Sequence, residues 1–121
     1  MPQTNLAGPY LLAHPIINNE FGQIAGGVYA LGTTNSRGAF RAQYIGRADF
    51  DLNEQLNDWV GSYQYFEAEF VPDAQAAFEE ECQLYHKFGG NELLDNKIHP
   101  ICTEHGWRCP IPECPYNETA Q

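Results

Sequence analysis

Residues 26–46, GGVYALGTTNSRGAFRAQYIG, constrain the fold more than any other stretch of the chain. Two short runs, GGVYALG and FRAQYIG, are bounded by glycines and carry β-branched or aromatic residues, and the link between them, TTNSRGA, is polar and contains glycine. That pattern predicts an antiparallel hairpin with Tyr29 on its first strand and Tyr44 on its second.

The segments that follow alternate in period. In DFDLNEQLNDWVG, residues 49–61, Leu52, Leu56, Trp59 and Val60 form a helical stripe, with Asp51 as N-cap and Gly61 as the stop. YQYFEAEFV, residues 63–71, reads as a third, half-buried strand. Gln64, Phe66, Ala68 and Phe70 share one face, and Tyr63, Tyr65, Glu67 and Glu69 the other. PDAQAAFEEECQLYHKFGG, residues 72–90, is a second helix that starts at Pro72 and Asp73 and stops at Gly89 and Gly90. Its stripe runs Ala74, Ala77, Phe78, Cys82, Leu84, Tyr85 and Phe88, with Cys82 as a buried thiol. The first 25 residues, rich in Pro and Asn, read as an extended arm with one short turn.

At 121 residues the chain has room for one core. No run is long and apolar enough to span a bilayer, and the N-terminus lacks the basic start and apolar stretch of a secretory signal, so a cytoplasmic protein without a membrane partner is expected. The net charge of −10 argues against a long DNA-tracking surface. The charge is uneven, however: residues 1–48 hold three arginines and one acid, whereas residues 49–121 hold fifteen acids and three bases. That asymmetry permits a local phosphate site on the hairpin.

One acid falls on the wrong face. At ~100° per residue, Glu79 points away from the stripe of the second helix, but Glu81 lies three residues after Phe78 and four before Tyr85, on the ridge that should face the sheet. A carboxylate there needs a metal ion, an arginine or hydroxyl donors, or else a small rotation of the helix that brings it to the solvent edge.

GVY at 27–29, YIG at 44–46, the short helix after them, Glu81 on the next helix and Asn96 downstream together resemble the GIY-YIG nuclease superfamily. The resemblance covers residues 26 to about 100 and implies an α+β fold: a small three-stranded antiparallel sheet flanked by helices, with both tyrosines facing one site. It further implies metal-aided hydrolysis of a phosphodiester. Glu81 would hold Mg²⁺ or Mn²⁺, Tyr29 would position or deprotonate the attacking water with help from Tyr44, and Asn96 would support the site. The chain departs from the family at one point: where an arginine is expected on the first helix stands Gln55, read as lying on the inner face three residues after Leu52. Arg47, directly after Gly46, or Arg41 on the same strand would have to replace that charge. His86, five residues after Glu81, reads as ordinary surface.

The tail, residues 101–121, places Cys102, His105, Cys109 and Cys114 within thirteen residues, a donor set suited to a structural Zn²⁺, with His99 as an alternative fourth ligand. A disulfide between Cys109 and Cys114, or reduced thiols, are the other readings. The chain is thus expected to divide into an arm (1–25), a GIY-YIG-like domain (26–100) and a Cys/His-rich tail. Two functions follow: a metal-dependent endonuclease, or a catalytically lapsed module of the same fold that binds nucleic acid weakly or recognises a protein.

Overall fold

The computed structural model describes residues 4–96, together with Pro100 and Pro110. Its elements run β1 (Ala7–Leu11), α1 (His14–Glu20), β2 (Gly27–Thr34), β3 (Phe40–Ala48), α2 (Leu52–Asp58), β4 (Tyr65–Phe70), α3 (Ala74–Lys87) and a single turn, α4 (Gly90–Leu93). The hairpin forms between β2 and β3, with Tyr29 opposite Gly46 and Leu31 opposite Tyr44. Asn35 closes it by accepting from the backbone N–H groups of Arg37 and Ala39, at 2.8 and 3.0 Å, so the turn is fixed by a side chain of its own. Both helices expected from the sequence, α2 and α3, start at the acids it offers. Asp51 accepts from Glu54 N at 3.2 Å and Asp73 from Ala76 N at 2.7 Å, each satisfying an N–H that the first helical turn leaves without a partner.

The fold is α+β, but its antiparallel sheet has four strands rather than three, in the order β1-β4-β2-β3. The fourth strand comes from the segment read as an arm. β1 pairs along β4 with Tyr10 opposite Phe66, and Tyr10, Phe21, Phe66 and Phe70 form a ring cluster with centroids 5.4 to 6.0 Å apart. Such aromatic pairs each add about 0.5–1.5 kcal/mol beyond the area they bury and so help to hold this proline- and glycine-interrupted segment on the sheet. A helix, α1, follows with Pro15 in its first turn. Asn53 and Asn57 of α2 donate to Asn18 Oδ1 at 3.0 and 3.2 Å and so dock the two helices together.

Pleat alternation sorts the side chains onto two faces. Tyr29 and Leu31 of β2 pack with Ile17 of α1 and with Leu52 and Leu56 of α2. Val28 and Ala30 pack on the other side with Ala77, Leu84 and Tyr85 of α3. The sheet therefore lies between α1 and α2 on one face and α3 on the other. Because β1 covers its outer side, β4 is an interior strand, and Glu67, on the face opposite Phe66 and Ala68, is buried as they are. Among the described residues, no helix is long and apolar enough to cross a membrane.

Candidate functional site

The two sheet faces meet at β3, the edge strand, and Gly46 is the residue that lets them do so. A Cβ at position 46 would sit 2.4 Å from Tyr29 Cζ and 2.5 Å from its Oη, so the Tyr29 ring lies directly across the Gly46 backbone. This explains why a glycine follows Ile45 in the second strand. The phenol of the central strand can reach the sheet edge only over a residue without a side chain.

On that face Tyr29 is buried, and its hydroxyl accepts a hydrogen bond from Trp59 Nε1 at 2.9 Å. Tyr44 stacks at a tilt on Trp59, 4.7 Å between centroids, and Tyr63 packs 5.8 Å from Trp59 while donating its hydroxyl to Asp95 Oδ2 at 2.8 Å. Burial raises the Tyr29 phenol well above its usual range. The Trp59 hydrogen bond pulls the other way, and Tyr44, Glu81 and Asp58 add to the rise. Tyr44 is raised too, by burial and then by Glu81. Both phenols are neutral at ordinary pH, and the Glu81 charge acts on each.

On the α3 face Glu81 is buried, 8% exposed, as its place on the helix ridge predicts. Its Oε1 accepts from Arg47 Nη1 at 2.8 Å, while Arg47 Nε donates to Asp49 Oδ1, also at 2.8 Å, and the guanidinium lies 5.2 Å from the Phe78 ring centroid. Burial pushes the Glu81 carboxyl up to about 7 against the pull of Arg47. The second oxygen, Oε2, has no hydrogen-bond partner among the described residues yet is not sealed from solvent. Among the described residues no three His, Cys, Asp or Glu side chains group to hold a metal ion. The donor set here is one carboxylate with an open oxygen, which suits Mg²⁺ with its own water shell and does not suit a tetrahedral zinc.

Tyr29, Tyr44, Arg47 and Glu81 are thus gathered around residues 44–47 of β3. Asn96 is close as well, in a different capacity: its side chain accepts from Ile45 N at 2.9 Å and donates to Ile45 O at 2.7 Å, pairing with β3 from outside. Two other expected residues lie elsewhere. Gln55 is exposed, not inward, because Leu52 and Leu56 take the buried side of α2. It lines a cleft of about 290 Å³ with Arg47, Asp49, Asp51, Glu54 and Asp58. Arg41 is exposed opposite Thr33 near the hairpin turn, six residues and therefore ~20 Å of strand from Arg47, too far to serve the same phosphate. Cys102, His105, Cys109, Cys114 and His99 lie outside the described residues.

Sequence reasoning did not single out Trp59, Tyr63 or Asp49 for this site. Trp59 reads as one more apolar member of the α2 stripe, and only its indole N–H, which needs an acceptor when buried, hints at a polar role. Compared with models of known protein families, with curated proteins and with solved structures, the chain finds no match.

Proposed function

We propose that this protein is a divalent-metal-dependent endonuclease of the GIY-YIG type, acting on nucleic-acid phosphodiester bonds at the outer edge of β3. The observation that carries this reading is the Glu81 carboxylate: buried, open at one oxygen, and coupled by its charge to Tyr29 and Tyr44. Glu81 would hold Mg²⁺ or Mn²⁺. When bound, the metal supplies charge to a phosphate oxygen and acidifies a water. Tyr29, kept neutral by burial, offers a hydroxyl hydrogen and acts by orienting water or phosphate rather than as a base. Tyr44 flanks it on the same face. Arg47 brings the guanidinium that the family pattern places on the first helix, and from β3 it can offset charge that builds on the phosphate.

A second reading, a lapsed module that binds nucleic acid weakly or recognises a protein, is favoured by one feature. Arg47 is already engaged by Glu81 and Asp49, and the adjoining cleft carries Asp49, Asp51, Glu54 and Asp58, which repel phosphate. Nicking of supercoiled plasmid and cleavage of labelled RNA, each with Mg²⁺ or Mn²⁺, separate the two. The nuclease reading expects a metal-dependent rate that falls at least ~100-fold in Glu81→Gln. Equal background from native protein and Glu81→Gln on both substrates would overturn it in favour of the binding module.

A further inference from the structure

A second cavity, of about 410 Å³, opens near the hairpin turn. Thr4, Leu6, Pro9, Phe40, Glu67 and Phe88 line it. Glu67 stands opposite Ala30, so it shares the α3 face of the sheet with Ala30, and Phe88 caps α3 beside it. The backbone around the acid is built close. Gly8 takes φ 128°, and a Cβ there would sit 2.9 Å from Phe66 O and 3.0 Å from Glu67 Cγ, so β1 can lie against the Glu67 side chain only through a glycine.

Glu67 is 9% exposed. Its Oε1 accepts from the Thr4 hydroxyl, and that hydroxyl is oriented in turn by accepting from Leu6 N at 3.0 Å. Among the described residues Oε2 has no hydrogen-bond partner, and Glu67 lines the cavity. Among the described residues no lysine, arginine or histidine pairs with this carboxyl. A carboxylate buried on one hydroxyl alone is poorly compensated, and a cation from outside supplies the missing partner. Two phenylalanine rings in the walls favour a cation with apolar carbon or a flat charged plane. The size lies within the range of small-ligand pockets, and the net charge of −10 draws cations toward the molecule.

We propose that this cavity binds an organic cation, an alkylammonium or guanidinium group, with Glu67 as its counter-ion and Phe40 and Phe88 along its side. The cation arrives either on a free small amine or on a lysine or arginine side chain of a protein partner. This inference does not rest on the nuclease reading, since the cavity and the Arg47–Glu81 pair share no lining residue.

The test titrates the whole chain by calorimetry and NMR with n-butylammonium, with agmatine, with a short arginine-containing peptide, and with n-butanol as the neutral counterpart. Saturable binding of at least one cation is expected, with shifts at Thr4, Phe40 and Phe88, and binding of n-butanol at least tenfold weaker. Glu67→Gln keeps the volume and the acceptor for Thr4 and should lower cation affinity at least tenfold, with its circular dichroism unchanged. Phe88→Leu should weaken binding while leaving Glu67 in place. Tighter binding of the free amines would identify a small-molecule site, and tighter binding of the peptide a docking site for a basic side chain. No saturable binding, equal binding of n-butanol, or unchanged affinity in Glu67→Gln would overturn the proposal; the last outcome would mean that cations gather on the acidic surface at large.

Discussion

Glu81 and Glu67 are two buried glutamates on the same side of one sheet, and the chain treats them differently. Glu81 sits on α3 with a guanidinium built in at 2.8 Å, and that guanidinium is itself anchored by Asp49 and laid near the Phe78 ring. Glu67 sits on β4 with a single hydroxyl donor and a cavity in front of it. Burial raises both carboxyls above the usual range. At Glu81 Arg47 opposes the rise, and at Glu67 only Thr4 does. The first acid therefore belongs to a network whose loss is felt throughout that end of the molecule. The second can change its protonation, or take a partner, with little effect on its neighbours. A buried charge by itself does not announce its use; the company the protein gives it does.

The largest effect that tests this contrast is Arg47→Ala. It strands Glu81 in a buried position, and a loss of about 3–5 kcal/mol is expected in urea unfolding. A loss below about 1 kcal/mol would erase the difference between the two acids. Next comes the pH dependence. Because Glu81 titrates near 7 in the folded protein and near ~4.3 when unfolded, the folded state holds the extra proton between those values. Stability from this group is therefore fully present below pH ~4.3 and declines as pH rises to about 7, by on the order of 3–4 kcal/mol. Thermal unfolding of native protein and Glu81→Gln at pH 5 and pH 8 checks the sign: the substitution should flatten the slope, and a steeper slope would contradict it. The smallest effect is expected for Glu67→Gln. Its amide oxygen can still accept from Thr4, and removal of the buried charge should leave stability within about 1 kcal/mol of native or slightly above it.

The sequence shows the hairpin, α2 and α3 clearly because each carries its own punctuation: the glycines around β2 and β3, Asp51 and Asp73 at the helix starts, Gly89 at the end of α3. It shows Glu81 because three consecutive glutamates cannot all avoid a helix ridge. β1 and α1 are harder to see. Gly8 and Pro9 interrupt the first strand, and proline and glycine inside a run read as a loop. What brings β1 in is non-local: the rings of Phe21 and Phe66 against Tyr10, with Phe70 packed on Phe21. That omission propagates. Without β1, β4 reads as the third strand of a three-stranded sheet, half-buried, with Glu67 on the face opposite Phe66 and Ala68. The Trp59 to Tyr29 hydrogen bond and the double clasp of Arg47 by Asp49 and Glu81 depend on side-chain directions that no spacing rule sets. Gln55 shows the limit from the other side, since a position three residues from Leu52 marks only the margin of a seven-residue helix, and packing of Leu52 and Leu56 decides the rest.

The Asn96 amide copies the hydrogen-bonding pattern of a neighbouring strand, giving Ile45 both a donor and an acceptor, and Asp95 N adds a bond to Gln43 O at 2.6 Å. Two residues of irregular chain thus occupy the row of groups through which a second molecule would otherwise zip onto β3. Shortening the protein to end at Leu94 should leave Tyr29, Tyr44, Arg47 and Glu81 in place but uncover the β3 edge, with self-association along β3 visible as growth in scattering mass with concentration. Asp95 and Asn96 are in this sense a guard against polymerisation as much as a continuation of the fold.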